Sequence, residues 1–270
     1  MQDTGLQANE DGRPRVTVYS WNVNGVRAAS RKGFVDWLCR SDADIVAIQE
    51  TKATPEQLSP LLLRPPGYHA DWCSAATRGY SGVATFSRDV PIEIIRGLGD
   101  AHVGFDGHVL ISEFAQFVLI NVYAPNGGRG SARVDEKLAF YRRLLIVVKR
   151  YLAIDRPVIL AGDLNTAYAA IDLARPKENA HQSGFLPEER EALGQFFAAG
   201  LIDTFRLLHP QEAKYSYWDQ RTRARARNCG WRLDYVLVSP DLAGSIVAAD
   251  ICTAVVTSDH CPVSLTLTLL

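Results

Sequence analysis

Long hydrophobic runs are missing from this 270-residue chain; the longest, Leu144 to Val148, is far short of the ~20 residues that a membrane span needs. The stretch Met1 to Arg15 is polar and has no apolar core of the signal-peptide kind. Cysteine is scarce: the five residues Cys39, Cys73, Cys229, Cys252 and Cys261 are odd in number and form no CxxC pair. That argues against a disulfide framework and a zinc site, and it predicts buried reduced thiols in a cytoplasmic protein of bacterial or archaeal type. Charge of one sign is lacking too, since 29 Lys+Arg against 30 Asp+Glu leave a formal net charge of −1. Global attraction to a polyanion is thereby excluded, so a nucleic-acid partner would have to be recognised by a local patch. Neither a phosphate-binding Walker loop, nor a GxSxG elbow, nor a GxGxxG turn after a strand is present.

What is present is a chain that folds. Hydrophobic residues make up 47% and charged ones 22%, which excludes disorder, while 20 Gly and 13 Pro are near average usage. Residues 1–14 lack periodicity and are expected to be a flexible leader, followed by one catalytic domain over 15–270. Short Val/Ile-rich runs predict strands at Val16–Ser20, Ile45–Ile48, Gly82–Phe86, Val109–Phe114, Phe117–Val122, Val158–Ala161, Leu233–Val238 and Val263–Leu267. Apolar residues at three- and four-residue steps predict a helix over Val134–Leu152, with others at Gly33–Arg40, Pro55–Leu63 and Pro187–Ala199. Val109–Phe114 and Phe117–Val122 are too close for a crossover and must form a hairpin. The class is therefore α/β, with two packed mixed β-sheets and helices outside.

Polar residues with catalytic chemistry cluster at the ends of these strands. Asn22 and Asn24 follow the first, Glu50 the second, Tyr123 and Asn126 the fifth, Asp163 and Asn165 the sixth; Asp259 and His260 precede the last. One Asp or Asn after a strand is commonly a turn former, but five strand ends of this kind indicate an active site on one rim of the sheets. Asn22, Glu50, Asp163, Asn165 and Asp259 offer only oxygen ligands, which suits Mg²⁺, or Mn²⁺. His260, with Asp234 available to hold its ring, supplies a base or a hydrogen-bond donor near neutral pH. Metal-assisted hydrolysis of a phosphate ester needs such groups. Arg221, Arg223, Arg225, Arg227 and Arg232 lie between Trp218 and the residues after Trp231. Their alternation would put several guanidinium groups on one face of an extended segment and, with Arg129 in the Gly-rich loop, make a phosphate track. Trp218 is expected in the core.

Seven segments, in order, resemble the exonuclease III family of apurinic/apyrimidinic (AP) endonucleases. They are Trp21–Ala28, Gln49–Lys52, Gly79–Ala84, Tyr123–Asn126, Gly162–Ala167, Asn228–Tyr235 and Ser258–Pro262. The resemblance covers about residues 16 to 270 and implies a four-layered α/β sandwich of the DNase I-like type. It implies a Mg²⁺-dependent DNA repair nuclease that cuts the phosphodiester 5′ to an abasic site in double-stranded DNA, with 3′→5′ exonuclease and 3′-phosphodiesterase activity beside it. Under that likeness Glu50 is the principal metal ligand, with Asn22, Asp163, Asn165, Asp259 and His260 around the ion or its waters. Asn24 stands where some relatives carry a metal-coordinating Asp. Asp163 would handle a proton, Asn165 would hold the water, and Tyr123 and His260, oriented by Asp234, would contact the scissile phosphate. Tyr217, Trp231 and Leu233 match an apolar pocket for the flipped-out sugar; Asn126, Arg129 and Arg221 match residues that grip the duplex. A monomer with no obligate protein partner and no membrane association is expected. Two other readings are a phosphoesterase of the same fold acting on lipid or inositol phosphates, and a catalytically silent DNA-binding protein.

Overall fold

The computed structural model describes residues 15–98, 105–128 and 130–269; the expected leader, 1–14, and Arg129 lie outside them. Twelve strands are described: β1 (Arg15–Asn22), β2 (Ile45–Gln49), β3 (His69–Cys73), β4 (Val83–Ser87), β5 (Glu93–Arg96), β6 (Val109–Glu113), β7 (Val118–Tyr123), β8 (Val158–Asp163), β9 (Ile202–Asp203), β10 (Asp234–Val238), β11 (Ile246–Ile251) and β12 (Val263–Thr268). They form two six-stranded sheets, in the orders β11-β12-β1-β2-β4-β3 and β5-β6-β7-β8-β10-β9. Each sheet has one parallel pair at its centre, β1 with β2 and β7 with β8, and antiparallel pairs elsewhere. The β6–β7 hairpin is as the short connection requires. All eight strands read from the sequence are present, within two residues at either end; β3, β5, β9 and β11 were not legible there.

Strand parity sorts the side chains into layers. Val16, Val18 and Ile45 of the first sheet meet Leu119, Ile159, Ala161, Val236 and Val238 of the second in one core between the sheets. The opposite faces are covered by helices. Val26–Arg31 and Phe34–Arg40 pack on Trp21, Val46, Ile48 and Phe86; Ser131–Leu152 and Pro187–Ala198 pack on Val118, Ile120, Leu160 and Leu237. The result is a four-layered sandwich.

The inward-facing rows change character along their length. In β1 the row reads Val16, Val18, Ser20, Asn22; in β2 Ile45, Ala47, Gln49; in β7 Leu119, Asn121, Tyr123; in β8 Ile159, Ala161, Asp163. One end of the interlayer is therefore apolar and the other polar. Between them Gln49 Nε2 donates to Ser20 Oγ (3.0 Å) and Asn121 Oδ1 (2.9 Å), and Asn121 Nδ2 donates to the Ala84 carbonyl (2.9 Å). These bonds tie the two sheets together below the rim, each worth about 1 kcal/mol while satisfied.

A second buried polar device braces the helices. Lys137 and Glu189, fully buried, pair at 2.9 Å. Lys137 Nζ also donates to the Asn165 carbonyl (2.6 Å), while Glu189 accepts from Ser183 Oγ (2.7 Å) and the Gly184 and Leu186 amides (2.5 and 3.1 Å). The pair fixes the loop that follows β8, at Asn165, and the loop before Pro187.

Two expectations need correction. The single helix at Pro55–Leu63 is instead a 3₁₀ turn, Pro55–Gln57, and a separate short helix, Pro60–Leu63, because Ser59 caps Leu62 and Pro60 cannot continue a helix from its predecessor. The five cysteines are free, but only Cys73 and Cys261 are buried, and Cys39 is exposed. No helix of the described residues is long and apolar enough to cross a membrane.

Lys137→Met should strand the Glu189 carboxylate without its countercharge and lower the unfolding free energy by about 3–5 kcal/mol in a urea titration. A loss under about 1 kcal/mol would show that the pair does not brace the fold.

Candidate active site

Six strand ends deliver the candidate residues to one rim. Asn22 ends β1, Glu50 follows β2, Tyr123 ends β7 and Asp163 ends β8; Asp234 opens β10, and Asp259-His260 precede β12. Since β10 is antiparallel to β8, with Asp234 opposite Asp163, and β12 is antiparallel to β1, chain starts and chain ends meet on the same edge.

The backbone there is held in a costly conformation. Asn24, Glu50, Lys52 and Asn165 have φ between 46° and 52°, four of the eight non-glycine residues with left-handed backbone among those described. Such residues cost of order 1–3 kcal/mol each and persist only where the surroundings over-determine them. Thr51 and Lys52 amides donate to the Gly82 and Ser81 carbonyls (both 2.9 Å), which holds Glu50 in place. Gly82 is required at that contact, because a Cβ there would stand 2.1 Å from Thr51 Oγ1.

Asn22 organises the centre. Its Nδ2 donates to Glu50 Oε1 and to Asp163 Oδ2, both at 2.9 Å, and its Oδ1 accepts from the Asn24 amide (3.0 Å). One neutral amide thus bridges two carboxylates that would otherwise repel. The outer oxygen of Glu50 faces the Lys52 ammonium at 2.5 Å, which also donates to Asn24 Oδ1. Asn24 in turn donates to both Asp259 oxygens (3.0 Å). Glu50 and Asp259 are therefore joined through two side chains, a cation among them.

Asp163 is buried. Its Oδ1 accepts from the Asn165 amide (2.8 Å), and Oδ2 receives the Asn165 side chain at 3.3 Å. Asn165 Nδ2 also donates to the Ala124 carbonyl (2.9 Å), and its Oδ1 accepts from Asn126 (3.2 Å). Burial, with Asp234 and Glu50 nearby, pushes the Asp163 carboxyl up to about 7, against the opposing effects of His260 and the Asn22 amide. His260 Nδ1 lies 2.8 Å from Asp234 Oδ2, and Nε2 faces Asp163 Oδ2 at 3.9 Å. Burial opposes charge on the ring, but the Asp234 and Asp163 carboxylates overcome it and raise the imidazole well above its usual range. Ligand atoms of Asp163, Asp234 and His260 lie within 4.8 Å of one another. The Tyr123 phenol faces Glu50; burial first, then the Glu50 and Asp163 charges, keep it protonated.

Beside His260 lies an apolar cluster. Tyr217, Trp231 and Leu233 cluster with Ala167, Leu173 and Phe185, and the Tyr217 ring lies 4.8 Å from that of His260. Arg232, between two residues of that cluster, is buried and gripped by Asp172 (2.8 Å) and Asp203 (2.7 Å), so it braces the segment that carries them.

The arginine-rich segment is not extended. Ala224–Arg227 forms a 3₁₀ turn, and the alternation is lost because Arg223 and Asn228 flank it in left-handed conformation. Arg225 stacks on buried Trp218 (4.2 Å) and donates to the Val255 and Ser258 carbonyls. With Arg232 buried and Arg225 half-buried, Arg221, Arg223 and Arg227 are the exposed members, and the one-faced phosphate track read from sequence is corrected accordingly. Asn126 is exposed beside the cleft. Sequence reading missed Lys52, Ser216, Leu173 and Phe185. Only Lys52 carried a signal, two positions after Glu50; Ser216 Oγ accepts from the Leu233 and Asp234 amides (3.1 Å each).

The model of the Endonuclease/Exonuclease/phosphatase family matches residues 19–260. The chain is 44% identical over 250 residues to the exodeoxyribonuclease of Bacillus subtilis, covering 91% of this chain and 97% of that one. Among solved structures it is similar to an AP endonuclease from Archaeoglobus fulgidus, with TM-score 0.86, 27% identity and 94% and 100% of the two chains covered. The 3′ phosphatase NExo from Neisseria, bound to product DNA hairpin, matches equally, at TM-score 0.86, 27% identity and the same coverage. With the fold, the rim of carboxylates and amides, and these likenesses together, the chain belongs to the Endonuclease/Exonuclease/phosphatase family.

Proposed function

We propose that this chain is a DNA repair nuclease that hydrolyses the phosphodiester 5′ to an abasic site in double-stranded DNA and also trims 3′ ends. The observation that carries the proposal is the Glu50–Asn22–Asp163 cluster, with the Asp234–His260 pair against it, beside an apolar cluster that includes Tyr217, Trp231 and Leu233. The names of the similar proteins, an exodeoxyribonuclease, an AP endonuclease and a 3′ phosphatase bound to DNA, support it.

The donor set fits a hard divalent cation, Mg²⁺ with Mn²⁺ as a substitute: carboxylate and amide oxygens with no thiolate, and a Glu50 oxygen that already faces a cation, the Lys52 ammonium. Glu50 and Asp259 would hold it, with Asp163 and Asn165 adjoining; Asn22, whose oxygen is occupied by the Asn24 amide, would orient those carboxylates. When bound, the ion would neutralise phosphate charge and favour ionised water. The chain's own groups do the rest. Tyr123, protonated, donates to a phosphate oxygen. His260, held by Asp234, presents Nε2 to the same phosphate. Asp163, whose carboxyl burial brings into the neutral range, takes the proton of the attacking water or returns one to the leaving oxygen. Preorganised donors of this kind act where charge develops, and cost no reorganisation at the moment of reaction.

Selectivity would follow from the apolar cluster beside His260. Tyr217, Trp231 and Leu233 would offer apolar surface to an extruded sugar, and a baseless nucleotide is the cheapest to extrude. Arg221, its side chain 93% exposed, together with Asn126 and Arg129, would grip the flanking duplex. The chain from 15 to 270 would act as one catalytic domain and as a monomer in the cytoplasm, where its free cysteines stay reduced.

A duplex with one tetrahydrofuran abasic mimic should be incised on its 5′ side, leaving a 3′-hydroxyl. EDTA should abolish the cut and Mg²⁺ restore it; incision that survives EDTA would refute the oxygen-ligand reading. Asp163→Asn should reduce single-turnover incision by about three orders of magnitude or more while leaving duplex affinity nearly intact; parallel loss of binding would assign Asp163 to substrate grip instead. Arg221→Ala should reduce the salt dependence of duplex binding by about one unit of slope, measured by anisotropy between low and moderate salt. An unchanged slope would remove Arg221 from the phosphate contacts.

A further inference from the structure

Directly behind Tyr123 lies a histidine that the chemistry described so far does not use. His108 stands one residue before β6, and because Val109 pairs with Val122, His108 falls opposite Tyr123 at the end of the hairpin. The two residues are joined twice through hydrogen bonds. The Tyr123 amide donates to the His108 carbonyl (2.8 Å), and His108 Nδ1 lies 2.5 Å from the Tyr123 carbonyl. A carbonyl only accepts, so Nδ1 carries the hydrogen. The imidazole, 1% exposed, lies flat on the phenol, with centroids 5.3 Å apart and planes within 6°. Tyr80, Phe105 and Phe140 close around its other sides at 5.9, 6.2 and 5.8 Å. Burial keeps the ring below its usual pKa and therefore neutral.

This arrangement solves a specific problem. Tyr123 is half-buried, and its phenol reaches into the cleft toward Glu50. Cys73, Val83 and Leu110 pack against part of the ring, but a displacement of about 1 Å in a reacting group costs up to 100-fold in rate, so the hydroxyl needs closer control. His108 adds a parallel ring beside the phenol, and it also fixes the peptide from which the phenol projects.

We propose that His108 is a positioning residue for the reaction: by gripping both the carbonyl and the ring of Tyr123, it sets the phenol hydroxyl at the scissile phosphate. The inference rests on the reading above that Tyr123 binds that phosphate.

A double-mutant cycle on the full chain tests it, using H108F, Y123F and their combination. Phenylalanine at 108 keeps the stack and loses the Nδ1–H donor. H108Q does the reverse, and it carries the same test should H108F fail to fold by thermal unfolding. In single-turnover incision of the abasic duplex, H108F should slow the step about tenfold while duplex Kd changes by less than about twofold. In the Y123F background the same change should cost less than about threefold, since no hydroxyl remains to be placed. Equal losses in both backgrounds would show that His108 is ordinary core packing and overturn the proposal; a wild-type rate for H108F and H108Q would do the same. A wild-type rate for Y123F would instead refute the reading of Tyr123 as a phosphate ligand, an outcome separable from the other two.

Discussion

The site depends on one constraint: two sheets packed face to face must fill the space between them, and that space is apolar at one end and polar at the other. Val, Ile and Leu rows close the lower part. Toward the rim the same rows carry Ser20, Gln49 and Asn121, then Asn22, Tyr123 and Asp163. The middle tier has to be hydrogen-bonded before the upper tier can exist, because unpaired amides between sheets would cost about 1–3 kcal/mol each. The Gln49–Asn121–Ser20 bonds meet most of that need and lock the sheets in the register that brings Asn22 to within 2.9 Å of Asp163. Catalytic geometry and sheet packing are in this sense the same set of contacts.

Crowding acids at a buried rim is unfavourable, and the surroundings are arranged to offset it. Asp163 and Asp234 sit opposite one another across a β-ladder, where like charges destabilise. His260 sits between them, and the Asn22 and Asn165 amides take up the remaining oxygens of Asp163. Left-handed backbone at Asn24, Glu50, Lys52 and Asn165 aims their side chains at one another and at Asp163 and Asp259 along the rim. The supports of those supports, Lys137 with Glu189 beneath Asn165, Arg232 between Trp231 and Leu233, and His108 behind Tyr123, are buried polar groups with specific partners. They show how far into the protein the requirements of a few surface atoms extend.

How much of this was legible in the sequence depended on burial. The eight strands read correctly are the interior strands of the two sheets, and the four that were not, β3, β5, β9 and β11, are their four edges. Interior strands carry either near-continuous Val, Ile and Leu, as in β2 and β8, or a clear alternation, as in β12; an edge strand such as Glu93–Arg96 or Ile246–Ile251 is partly solvated and shows little pattern. The arginine segment failed for the opposite reason. Its alternation is a period-two pattern without a sheet to pair with, so the chain turned into a 3₁₀ coil and Arg225 went inward to stack on Trp218.

The sequence by itself determined which residues could do chemistry, because strand ends are marked by an abrupt change from apolar to polar, and it determined the fold class, because strand and helix periods are local. Tertiary structure alone decided which of those residues meet. Asn22 and Asp163 are 141 positions apart, and nothing local records that an amide would bridge two carboxylates. The roles of Lys137, Ser216, Phe185 and His108 were likewise invisible, since each acts through a partner distant in the chain or through the face of a ring. Local preference sets the elements; mutual burial between layers sets the partners.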